Sequence, residues 1–222
     1  GAIMKNRTTG ECRATEKMAI CSIPDTLQGL IIARIDRLDQ ETKRVLRSAS
    51  VVGRCFLYRV LSSVETLESK LDKALEQLQS TEIIRENKKM PELEYIFTHA
   101  LVQQATYESI LLKNRKFLHR EVGHAIETMF ENRLEEFYGL LAYHFAKAEA
   151  WEKAHEYLMA AGDQAGKIAA DSEALIHYKE ALSTYERAFG DHWETLQRVS
   201  LERKIGEALY RRGEMKPALE YL

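Results

Sequence analysis

Apolar residues recur three and four positions apart along most of this chain, the spacing of one helical face. In IPDTLQGLIIARIDRL, Leu27, Leu30, Ile31, Ile35 and Leu38 fall on one side. Pro24 followed by Asp25 and Thr26 sets the start of that helix. Asp39 opens a second helix over Gln40–Val52, with Val45, Leu46, Ala49 and Val52 inward and Gly53 as its stop. CFLYRVLSSV, beginning at Cys55, predicts a short apolar helix. LESKLDKALEQLQ repeats leucine at Leu67, Leu71, Leu75 and Leu78 and predicts a fourth. The period then drops toward two, and Glu82–Arg85 and Leu93–Phe97 read as strands joined by a polar loop holding Pro91.

Beyond Phe97 the pattern is helical again. Thr98 is placed to cap a helix that starts at His99, and the spacing predicts helices over His99–Leu112 and Arg115–Phe130. LEEFYGLLAYHFAKA puts Phe137, Leu140, Leu141, His144 and Phe145 on one side. From Trp151 the chain reads as helix pairs. Their small and apolar contacts are Ala154, Leu158 and Ala161, then Ala174, Tyr178 and Ala181. In the last stretch, Gly206 lets helices approach, Gly213 makes the turn and Ala218 packs back. The alanines do not recur at a steady ~34 residues, so these are tetratricopeptide-like (TPR-like) hairpins and not a regular array. Such hairpins usually build a curved interaction surface. Residues 1–25 are polar and irregular; the alternation of Met18, Ile20, Cys21 and Ile23 predicts a linker or hairpin there.

Three of these helices followed by a two-stranded ribbon make the order of a winged helix. The expected fold is therefore mainly α: a winged-helix-like domain with a small β-hairpin over residues 26–112, then TPR-like α-helical hairpins, an α-solenoid, over 113–222. The chain ends inside an amphipathic helix, GEMKPALEYL, and reads as an excised piece whose array is truncated. A second copy of the chain is one partner that fits such an apolar edge.

Composition changes the picture mainly by exclusion. The 222 residues are 45% hydrophobic and 30% charged, with a net charge of −2, so the surface as a whole is not a polyanion binder. Cys12, Cys21 and Cys55 are odd in number and lie in no C-x-x-C motif. That fits a reducing, cytoplasmic setting and argues against a disulfide framework or a zinc site. No run approaches the ~18 apolar residues of a membrane span. A winged helix suggests DNA, but charge argues against it. The candidate recognition helix sets Lys70 and Lys73 against Glu68, Asp72 and Glu76, and only Arg85, Lys88 and Lys89 of the wing are basic. His119 and His124 are five apart, not the four of a shared metal, and read as surface or packing residues. KNRKFLHR, residues 113–120, reads as a solvated basic face, and Trp151 as core. There is no phosphate-cradling G-x-x-x-x-G-K-[ST], no G-x-S-x-G and no H-E-x-x-H, so no catalysis is expected of this chain.

Two stretches carry a resemblance. IPDTLQGLIIARIDRLDQETKRVLRSASVVGRCF and YIFTHALVQQATYESILLKNRKFLHREVGHAIE resemble the region downstream of the nucleotide-binding domain in STAND-type P-loop NTPases. The resemblance is closest to bacterial multidomain proteins with an N-terminal class III adenylate or guanylate cyclase domain, and it covers about residues 12–190. It implies a winged helix and TPR-like repeats that relay the state of an upstream NTPase domain. ATP or ADP with Mg²⁺ would then be bound by the parent and no cofactor by this chain, and an unidentified protein partner would sit on the repeats. It also implies a role for His99. In related proteins a histidine of an MHD-type motif contacts the β-phosphate of ADP. Thr98-His99-Ala100 falls at the matching place, with Thr98 for Met and Ala100 for Asp. Read without the resemblance, His99 is either a packed residue bonded to a carbonyl or an anion donor at a helix start. Two other parents fit the same region: a STAND-type transcriptional regulator, and a winged helix that binds DNA itself.

Overall fold

The computed structural model describes residues 3–5, 12–14, 25–65, 68–190 and 195–221. The chain is mainly helical with a small antiparallel sheet. Near the start, β1 (Ile3–Lys5) pairs antiparallel with β2 (Cys12–Ala14). Met18, Ile20, Cys21 and Ile23, read as part of a hairpin, lie outside the described residues.

Helices α1 (Asp25–Asp36) and α2 (Gln40–Val52) form where the apolar stripes place them. The Asp39 carboxylate caps α2 by accepting the Glu41 and Thr42 N–H groups, each at 3.0 Å. Gly53 leaves the helix with φ of +148°, a conformation that favours glycine.

The segment read as one apolar helix splits. Cys55–Leu57 forms β3, and only Tyr58–Val64 is helical, as α3. The ladder to the distant β5 (Glu94–Phe97) explains the difference. Phe56 pairs with Tyr95 in register and buries its ring against Tyr95 and Phe97, with centroids 5.7 and 5.8 Å away. A short apolar run does not reveal such a partner by its own spacing. The sheet therefore has three strands in the order β3-β5-β4 and not the expected two. Its edge strand opposite β3, β4 (Ile84–Lys88), starts two residues later than the pattern predicts. Between α3 and β4, α4 (Glu68–Ser80) buries Leu71, Leu75 and Leu78, while Leu67 lies outside the described residues.

After β5 come α5 (Ala100–Glu108) and α6 (Leu112–Met129), broken at Ser109–Leu111. Arg115 closes the break. Its Nε donates to the Ile110 carbonyl at 2.8 Å, and Lys116 pairs with Glu149 at 2.6 Å. Part of the basic run is thus spent on structure. A 3-10 segment (Glu131–Phe137) leads into α7 (Tyr138–Lys147), α8 (Trp151–Lys167), α9 (Asp171–Phe189), α10 (Thr195–Arg211) and α11 (Met215–Leu219). From α7 onward each α-helix packs on the one before it. On α7, Leu141, His144 and Phe145 are buried as expected, but Leu140 faces solvent.

Two cores result. Ile35, Val45, Leu46, Phe56, Leu71 and Phe97 belong to the first, between the sheet and α1–α4. The second runs from Val51 and Val60 through Val122, Leu141, Ala154, Tyr178 and Ile205. Close helix approach within it depends on glycine. A Cβ on Gly162 would sit 2.5 Å from the Tyr178 ring, whose hydroxyl is anchored on Asp163 at 2.8 Å.

The second core also buries a histidine pair. His119 of α6 and His144 of α7 face each other with 2.9 Å between their Nδ1 atoms, and the Tyr107 hydroxyl lies 3.0 Å from His119 Nε2. His119 is thus a packing residue as expected. Its partner is His144, whereas His124 is exposed and bonds Glu127 at 2.9 Å. One proton fits between the two Nδ1 atoms. Burial, then the nearby Lys147 and Arg115 charges, push His119 down to about 4. Burial, then His119 itself, pushes His144 down as well.

Two predictions follow from this packing. Gly162→Ala gains about 1 kcal/mol of helix propensity but forces a methyl into the anchored Tyr178 ring, a clash costing about 1–3 kcal/mol. We expect a lower melting temperature; a higher one would mean that the ring yields. The histidine pair makes stability pH-dependent. The unfolded imidazoles take up protons near 6.5 and the folded ones resist, so stability is full above that value and lost as pH falls toward about 4. The slope is about 1.4 kcal/mol per pH unit for each proton taken up. Urea unfolding of the wild type and of a His119→Gln, His144→Gln double variant at pH 7.5 and pH 5 measures it. The variant should lose less on acidification, and an equal loss would assign the pH effect elsewhere.

Candidate functional site

The central strand β5 ends where α5 begins, and two backbone bonds hold that corner. The Phe97 N–H donates to the Arg54 carbonyl at 2.9 Å, and the Thr98 N–H donates to the Ile83 carbonyl at 3.0 Å. His99 is the N-cap residue, in an extended conformation with no side-chain capping bond. The expected arrangement, with Thr98 as cap and His99 as first helical residue, is displaced by one position. The His99 carbonyl accepts the Val102 N–H at 3.0 Å, which starts the helix. The N–H groups of Ala100 and Leu101 precede that bond and have no acceptor within the helix.

His99 is exposed at the edge of a cleft of about 530 Å³. Ile31, Arg34 and Ile35 of α1 form one wall, and Thr98–Val102 the other. Arg54 and Ile83 close the end. The floor is apolar and the rim basic, and among the described lining residues there is no carboxylate. The Arg34 guanidinium donates to the Thr81 carbonyl, which holds it beside the cleft. The side chains of Arg54 and His99 have no hydrogen-bond or ion-pair partner among the described residues. Two guanidinium groups, an imidazole and free helix-start N–H groups thus converge on one opening. That arrangement suits a small polyanion, for which helix starts supply donors and the favourable end of the dipole.

The structure places His99 at the turn from strand to helix, one position before the first helical residue, which the sequence pattern predicts it to be. It adds Arg34 and Arg54, 65 and 45 positions earlier in the chain, which sequence reading did not connect to it. Nothing local marks them. Arg34 lies on the polar side of an amphipathic helix, and Arg54 follows a helix-ending glycine. Trp151, read as core, is only half buried and carries the Arg187 guanidinium 5.0 Å from its ring centroid. Among the described residues no group of three or more potential metal ligands occurs. None of their helices is long and apolar enough to cross a membrane.

Comparison of the chain with protein-family models, with curated proteins and with solved structures finds no match.

The cleft predicts binding of inorganic pyrophosphate at low ionic strength. Saturating pyrophosphate should raise the melting temperature by a few degrees, about 2–4 °C for each kcal/mol of binding linkage. The shift should vanish in an Arg34→Gln, Arg54→Gln double variant. An equal shift in that variant would place the anion elsewhere.

Proposed function

We propose that this chain is a non-catalytic relay and protein-interaction segment of a nucleotide-regulated signalling protein of the STAND type. In this reading residues 26–112 act as a winged helix and 113–222 as TPR-like repeats. The parent carries an upstream NTPase domain, which binds ATP or ADP with Mg²⁺, and an adenylate or guanylate cyclase as effector. His99, with Arg34 and Arg54, meets the phosphates of bound ADP and favours the resting state. The helical array docks a protein partner and biases the same equilibrium.

The observation that carries the proposal is the basic cleft at the start of α5. A histidine free of internal partners, two guanidinium groups and helix-start N–H groups face one opening. The element order lends support: α2, β3, α3, α4, then β4 and β5 as a hairpin, follows the sequence expected of a winged helix. Direct DNA reading is less favoured. On α4, Lys70 pairs with Glu41 at 3.3 Å and Asp72 accepts the Tyr58 hydroxyl at 2.8 Å, so the candidate recognition face is partly spent and partly acidic. A transcriptional regulator remains the second reading; it differs only in its effector domain.

The test is the coding DNA upstream of Gly1. The proposal expects a G-x-x-x-x-G-K-[ST] loop after a strand, preceded by a cyclase-like domain. An upstream region with no such loop contradicts it. In the encoded protein, His99→Ala should lower the retained ADP and raise basal output. Unchanged nucleotide content together with unchanged output would remove His99 from the mechanism.

A further inference from the structure

A second opening, of about 330 Å³, lies between α7 and α9 with α8 as its floor. Its shape comes from residue spacing. Gly139, Ala142 and Ala146 fall three and four apart on α7 and keep that wall low, with Tyr143 and Lys147 beside them. On α9, His177, Glu180, Thr184 and Arg187 recur at the same spacing and form the facing wall. Trp151 and Leu158 of α8 lie beneath.

The cations of this groove are held without being neutralised. Lys147 Nζ stands 5.7 Å from the Tyr143 ring centroid, and the Arg187 guanidinium 5.0 Å from that of Trp151. Neither has an acidic partner among the described residues. An aromatic face fixes a cation's position yet leaves its hydrogen-bond donors free. His177 Nδ1 is buried with no hydrogen-bond partner, while its Nε2 lies 3.9 Å from Glu173. The Thr184 hydroxyl is spent on the Glu180 carbonyl at 2.7 Å. Glu180 is the one carboxylate among the described lining residues, against two cations, so the groove keeps an excess of positive charge.

We propose that this groove receives an acidic side chain from an extended peptide segment of a protein partner. The carboxylate bonds Lys147 and Arg187, and the rings of Tyr143 and Trp151 cover its stem. Charge-assisted bonds to a carboxylate are the strong ones, and aromatic and arginine side chains are the common anchors of interfaces. Length argues for a peptide over a lone anion. From Gly139 to Lys147 the α7 wall runs about 12 Å, which an extended peptide covers with about four residues. This assigns a chemistry to the partner-binding role proposed for the array and rests on that role, but not on the cleft at α5.

Fluorescence anisotropy of a fluorescein-labelled octaglutamate peptide at low ionic strength tests it, with octaglutamine as the neutral probe. Saturable binding of octaglutamate and none of octaglutamine is expected. Lys147→Met and Arg187→Gln should each weaken it about tenfold, the loss of one charged hydrogen bond. A Lys113→Ala, Arg120→Ala variant, which removes exposed cations of α6, should bind as the wild type does. Absence of binding overturns the proposal, as does equal weakening in the α6 variant. Saturable binding that survives the Lys147→Met, Arg187→Gln double variant would overturn the groove alone and leave the array as a docking surface. Circular dichroism of each variant separates lost binding from lost fold.

Discussion

Helix α2 is covered on two sides, and that double burial sets where everything downstream can lie. Val45, Leu46 and Ala49 seal the core beneath the sheet, Val51 belongs to the core of the helical array, and Val52 touches both. Buried polar bonds fix its rotation. Ser48 donates to Glu65 at 2.7 Å, and the other Glu65 oxygen meets Arg44 at 3.0 Å. Leaving such a carboxylate unpaired in the interior is costly, so α2 has little freedom to turn.

From α2 the constraint passes to α5. Gln103 Nε2 donates to the Ser50 carbonyl at 2.7 Å and ties the two helices together. Helix α5 then has a different task at each end. Its start opens the basic cleft at His99; its end presents Tyr107 to His119, which meets His144 of α7. Lys147, one turn beyond His144, lines the groove against α9. One short helix therefore connects the basic cleft, through the buried histidine pair, to the helix that forms one wall of the groove. A tilt of α5 at the cleft would break or carry along the hydrogen-bonded chain at its other end, and that is the physical form the proposed relay takes.

Much of this was legible in the sequence because it is local. The stripe through Leu71, Leu75 and Leu78, the Asp39 cap and the Gly53 stop each rest on residues within a few positions of one another, and the elements form as that spacing dictates. Cys55–Leu57 departs from the helix its local pattern predicts because its state is decided by Tyr95 and Ile96, some forty residues away. The site divides in the same way. His99 stands at a turn that its neighbours specify, so it could be singled out. Arg34, Arg54 and the His119–His144 pair are assembled only by tertiary packing, and His119 compared with His124 on its own helix gave no sign of the true partner. Spacing predicts Trp151 in the core because it reports which face of a helix is apolar, not whether a cation covers it.

The proposed relay requires the cleft and the array to belong to one cooperative body joined through α2, α5 and α6. Differential scanning calorimetry of the chain at pH 7.5 measures this directly. A single transition whose calorimetric enthalpy equals the van't Hoff enthalpy is the predicted result. Two separable transitions, one for the sheet-side core and one for the helical array, would show that the two halves unfold independently and would contradict it.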